Sequence, residues 1–166
     1  MKTKIRYIFL MTLFIVLTSF DQYSKFLANK HLKKGEIPLI KDVFELYYHE
    51  NNGAAWGIFS GKIPFLTIMT IVVMVGIVFL IIKLGNYTQK KYSFLQFFLV
   101  VLFSGAAGNL IDRIRLGYVV DYFYFKLINF PIFNVADCYV TVSVAAILFM
   151  ILFVFSDDEI NTILKK

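Results

Sequence analysis

The sequence predicts an all-α membrane protein of four spanning helices, with a small sheet between the first and second. Three observations carry that expectation. Hydrophobic residues make up 59% of the 166, and the mean hydropathy is +0.72, more apolar surface than a soluble globule can cover. Charged residues make up only 17%, against roughly 25% in an average soluble domain. The apolar residues gather into four runs, each near the ~20 residues that cross a bilayer. The same composition excludes a disordered chain, which needs low hydrophobicity. The length fits one domain, a single integral membrane unit over 1–166.

The runs fall at about 7–23, 63–82, 92–111 and 135–155. The second carries no charge, and Pro64 sits in its first turn, where the missing N–H costs nothing. The first resembles a secretory signal peptide in its basic start, Lys2, Lys4 and Arg6. No small-residue cleavage site follows, and Phe20 stands where a lipoprotein processing site needs cysteine. It therefore reads as an uncleaved helix. Total basic counts on the two sides nearly balance. The short segments decide, because Lys83, Lys90 and Lys91 share a tight loop without acids. That loop and the basic start favour the inside, placing both termini there.

Two outer connections follow from this topology. In the first, Val43 to Tyr48 has strand-like composition, bounded by Lys41-Asp42 and Asn51-Asn52-Gly53. The second, about 112–134, is rich in Tyr and Phe and suits an interfacial aromatic belt. The tail from Ser156 reads as a short polar end. A net charge of +6 forms no long basic patch, so nucleic acid is a poor partner. One cysteine excludes an internal disulfide framework. Two histidines and a cysteine, far apart, are poor material for zinc.

Polar residues at membrane depth need a partner or a function. Asp21 and Lys25 are four apart on one helical face, an arrangement that suits a structural ion pair. Gly105 and Gly108 allow close helix approach. Asn109, Asp112 and Arg113 share a helix face, as a buried polar lock or as part of a site. Asp121 and Asp137 lie in apolar surroundings without an evident basic partner. Asn134, three residues before Asp137, can face the same point. Two carboxylates held close cannot both ionise easily, and one shared proton suits aspartyl peptide hydrolysis. Helix-end acids, with Asp137 in an N-capping role, fit the same spacing.

Other chemistries are weaker. His49-Glu50 begins a zinc-protease motif that is not completed. Ser104-Gly105 lacks the context of a serine nucleophile, and Cys138 would need a distant histidine. A non-catalytic membrane protein, with the polar cluster as lock or proton relay, also fits these residues.

Five blocks in order resemble one family, the bacterial lipoprotein signal peptidases (signal peptidase II, aspartyl peptidase family A8). They are Asp21-Gln22-Tyr23-Ser24-Lys25; Asn51-Asn52-Gly53-Ala54-Ala55-Trp56; Gly105 to Arg113; Val119-Val120-Asp121-Tyr122; and Phe133-Asn134-Val135-Ala136-Asp137. Tyr122 stands where Phe is usual in that family. The resemblance implies a cell-membrane enzyme with its site near the extracytoplasmic face, and a small sheet and surface helix between the first two spans. It implies cleavage of diacylglyceryl-modified prolipoproteins just before the lipidated cysteine, without metal or cofactor. Asp121 and Asp137 would be catalytic. Asn51, Gly53, Asn109, Arg113 and Asn134 would line or support the substrate site, with Asp21, Lys25 and Asp112 as supports. Partners would be the lipid-modified precursor and membrane lipid. The enzyme would act as a monomer and be a target of cyclic peptide inhibitors such as globomycin.

Overall fold

A computed structural model describes residues 3–54 and 58–165. Among the described residues four helices are long and apolar enough to cross a membrane, and the chain is a multi-pass membrane protein. They are α1 (Thr3–Leu32), α2 (Ile63–Leu84), α3 (Lys90–Leu116) and α4 (Val135–Phe153). α3 is the central helix and packs against the other three. α2 turns most of its surface outward, with Val72 62% exposed, as lipid-facing residues do.

α1 runs well past the apolar stretch that marks it in the sequence. Thirty residues reach about 45 Å, more than the ~30 Å hydrocarbon core. Its last turns instead carry the sheet: Ala28 and Leu32 pack on Val120 and Tyr122. That sheet has three antiparallel strands in the order β1 (Ile37–Ile40), β2 (Phe44–Asn51) and β3 (Val119–Tyr124). The third strand is a correction to the sequence reading, which left 119–124 as part of an interfacial connection. Among the described residues no helix lies between α1 and α2, where a surface helix is expected. The described residues of 33–62 form β1, β2 and turns, and residues 55–57, with Ala55 and Trp56 among them, lie outside the described residues.

α3 ends at Gly117, whose φ of 79° is a left-handed value that glycine tolerates, and its N–H caps the Arg113 carbonyl at 3.2 Å. β3 therefore starts within three residues of the last turn of α3. It leads through a 3-10 turn at Lys126–Ile128 to α4, and Phe123 and Phe133 bridge the two ends of that excursion. The C-terminal tail is not a loose polar end. Asp157–Lys165 forms α5, entered through a reciprocal cap between Ser156 and Glu159. Ile160 and Ile163 of α5 pack onto a cluster that includes Leu84, Tyr92, Met150 and Phe155.

Candidate active site

Three helices and the sheet meet where α3 ends and α4 begins. Close approach there depends on two glycines. A Cβ on Gly105 would stand 2.5 Å from the Ala136 carbonyl oxygen, and one on Gly108 would collide with the Asp21 carboxylate. Only bare backbone lets α4 and α1 reach α3 at this level.

The first polar group is a buried triad. Lys25 Nζ lies 3.0 Å from Asp21 Oδ2 and 3.1 Å from Asp112 Oδ2. Each acid also holds a backbone N–H: Ala136 donates to Asp21 at 3.0 Å, and Val120 donates to Asp112 at 3.1 Å. The triad thereby joins α1, α3, α4 and the start of β3. Gln22 adds a brace by donating from Nε2 to Asp21, Asp112 and the Gly108 carbonyl. The Asp21–Lys25 pair was legible from its spacing. Asp112 as a second acid on the same lysine was not, nor was Gln22.

The second group is Asp121 and Asp137, linked through asparagines. Asn134 Nδ2 donates to Asp121 Oδ1 at 2.6 Å and to Asn109 Oδ1 at 3.1 Å. Asn109 Nδ2 donates to Asp137 Oδ1 at 2.8 Å. Asn51 Nδ2 donates to Asp121 Oδ2 at 2.9 Å. Lys25 Nζ donates to Asn109 Oδ1 at 2.9 Å, so the triad orients the amide that serves Asp137. Asp137 also accepts the Asn134 backbone N–H, while the Asn134 side chain accepts from the Asp137 N–H. This reciprocal cap opens α4. The N-cap is Asn134 rather than Asp137, the position weighed from the sequence; Asp137 completes the cap from N3, and it also lines the cavity described next.

Neither Asp121 nor Asp137 has a lysine or arginine within salt-bridge distance among the described residues. Asp121 is 1% exposed. Burial first, and the neighbouring Asp137 carboxylate second, push it up to about 7, against the pull of the Asn51 and Asn134 donors. Asp121 is thus displaced toward holding its proton closer to neutrality than an ordinary aspartate.

Both acids line a cavity of about 650 Å³, within the usual range for ligand pockets. Its polar end holds Asn51, Asn109 and Arg113. Its apolar end runs between Phe130–Phe133 and the side of α4 at Val140 to Val142. Val142 is 60% exposed, so the cavity opens along a face of α4 that would meet lipid. Arg113 bonds only the Gly53 carbonyl, at a long 3.5 Å, and its Nε is buried without a partner among the described residues. Gly53 closes a local turn by donating its N–H to the Asn51 side chain at 2.9 Å. All ten residues singled out in the sequence thus fall in one connected region. His49 and the Phe130–Phe133 wall also line the cavity and were not singled out for this site. Among the described residues no three His, Cys, Asp or Glu side chains group to hold a metal ion.

The profile of the family described as signal peptidase (SPase) II matches residues 13–153. A Brevibacillus brevis protein named lipoprotein signal peptidase is 45% identical over 147 residues, 88% of this chain and 94% of its own length. The Staphylococcus aureus (strain JH9) protein of the same name is 39% identical over 146 residues, 86% of each chain. Two solved structures described as bacterial membrane enzymes, determined by the in meso method, are also similar. The one at 2.3 Å has a TM-score of 0.76 at 35% identity, covering 86% of this chain and 87% of its own. The one at 1.9 Å has a TM-score of 0.74 at 34% identity, covering 88% and 94%.

Proposed function

The chain belongs to the signal peptidase II family, and on that premise we propose that Asp121 and Asp137 are its catalytic pair. The family is an aspartic peptidase that processes lipoprotein precursors. The observation that carries the assignment is the pair itself: two acids with no cation in salt-bridge contact among the described residues, joined through asparagines, on the wall of a cavity open toward lipid.

In the reading we favour, Asp121 holds the shared proton, consistent with its upward displacement to about 7. Asp137, like Asp121, takes N–H donors on both oxygens. Asp137 removes a proton from water as the water oxygen adds to the scissile carbonyl carbon. Asp121 donates its proton to the carbonyl oxygen. On collapse the C–N bond breaks, and the amine of the downstream residue leaves with the proton from Asp137. The hydroxyl proton of the intermediate returns to Asp121, which restores the pair. Asn109 and Asn134 hold the two acids in register. Arg113 presents donors to substrate oxygens, and Asn51 and Gly53 shape the rim. Asp21, Lys25 and Asp112 support the site from behind. No metal or cofactor enters these steps.

The substrate we propose is a diacylglyceryl-modified prolipoprotein, cut just before its lipidated cysteine. Its acyl chains lie along the open side of α4. Both termini are inside, the sheet and cavity lie at the extracytoplasmic face of the bacterial cell membrane, and the enzyme works as a monomer. A cyclic peptide of the globomycin kind would compete for the same cavity.

Cleavage tests this reading. Purified enzyme in detergent, with a chelator present, is expected to release the signal peptide from a lipidated precursor and to leave the unlipidated precursor intact. Mass spectrometry should place the new N-terminus at the lipidated cysteine. No cleavage of lipidated precursor by well-folded enzyme would contradict it.

A further inference from the structure

His49 belongs to none of the five sequence blocks, yet it lines the cavity. β2 reaches this position through an irregularity. Leu46 stands opposite Phe123 and His49 opposite Asp121, so three steps along β2 match two along β3. That is one extra residue, a β-bulge, and it reverses which face each later side chain takes. Without it Tyr48 would stand opposite Asp121. With it, Tyr48 is turned to the far side, where its ring lies under Lys33 and its hydroxyl donates to Glu50. His49 and Asn51 are turned to the catalytic side. Asn51 has partners there, donating to Asp121 and accepting from Gly53. His49 is exposed and has no side-chain hydrogen bond or ion pair with any described residue.

We propose that His49 is a substrate-binding residue whose imidazole N–H donates to a carbonyl oxygen of the substrate at the cavity mouth. The inference rests on the peptidase reading above. The geometry supplies a donor beside Asp121, aimed by a bulge into the cavity and left without an acceptor among the described residues. Extended peptide and diacylglyceryl ester both present carbonyl oxygens, so either can be the acceptor.

The test is steady-state cleavage of lipidated precursor by wild type, His49→Leu and His49→Gln. One neutral hydrogen bond supports about a 3- to 10-fold effect. His49→Leu should raise KM by that factor with kcat little changed, since the contact exists in the bound ground state. His49→Gln keeps a donor and should recover most of the loss. Thermal stability should be unchanged in both, because the ring bonds no described residue in the free enzyme. Repeating the comparison with an ether-linked dialkylglyceryl precursor identifies the acceptor. Loss of the His49→Leu defect there means the ester, and persistence means the peptide. A His49→Leu enzyme with wild-type KM, or a His49→Gln as weak as His49→Leu, would overturn the inference. An inactive wild type would instead defeat the peptidase reading itself.

Discussion

Two groups of acids lie side by side at the junction of α3, α4 and the sheet, and they differ in what balances them. Asp21 and Asp112 share Lys25 at 3.0 and 3.1 Å, and each caps a backbone N–H. Asp121 and Asp137 have no cation within salt-bridge distance among the described residues and are held by amides. The triad spends its charges on joining elements. The pair, in the function proposed for it, keeps a proton that can be moved. Residue type is the same in both, and only the partners separate a lock from a candidate catalyst.

The largest effect should come from breaking the lock. Lys25→Met leaves two buried acids without their cation. Removing one partner from such a group costs about 3–5 kcal/mol. The expected outcome is a variant that unfolds well below wild type or fails to accumulate, read by thermal unfolding in detergent. Replacing the whole triad, Lys25→Met with Asp21→Asn and Asp112→Asn, should recover much of that loss, because no bare charge remains. A single Lys25→Met variant of wild-type stability would show that the triad is not a lock.

The contrast between the groups was only partly legible in the sequence. The spans were visible because apolar runs near twenty residues have few other uses. The last turns of α1 were not, since Asn29, Lys30 and His31 interrupt the run and helix continues there by packing on the sheet. β3 was missed for a physical reason. Val119 to Tyr122 is buried along its whole length, so the alternation that marks a half-exposed strand is absent. The entry to α5 was visible as Ser156-x-x-Glu159 but was passed over as tail. At the site, the acids, Asn109 and Asn134 could be picked out as polar residues in apolar places, whereas Asn51 and Gly53 came only from the family resemblance. Their wiring could not, because Asn134 to Asp121 and Asn109 to Asp137 are contacts across 13 and 28 residues. The bulge that aims His49 leaves no local signature.

A smaller effect sharpens the comparison from the other side. Asp121 is displaced upward from 3.8 to about 7, so the folded state binds more protons than the unfolded state between those values. Stability from this group is present below about pH 4 and is lost as pH rises through 7. Asp121→Asn removes that cost but also removes one acceptor from the donors of Asn51 and Asn134. The difference in Tm between Asp121→Asn and wild type should therefore move in the variant's favour from pH 5 to pH 8. A difference that stays flat with pH would mean that Asp121 carries no such penalty. In activity the same proton should appear as an alkaline limb near pH 7 in kcat/KM, a property of the pair rather than of either acid.

The central claim is that Asp121 and Asp137 act together on a peptide bond. It is tested most directly by single-turnover cleavage of lipidated precursor by wild type, Asp121→Asn and Asp137→Asn, each checked for wild-type folding by thermal unfolding. Acid–base groups typically contribute 10²–10⁴-fold each. The account predicts that each folded variant loses about 10³-fold or more, and that the double variant is hardly worse than either single one. Near-wild-type cleavage by either folded variant would contradict it.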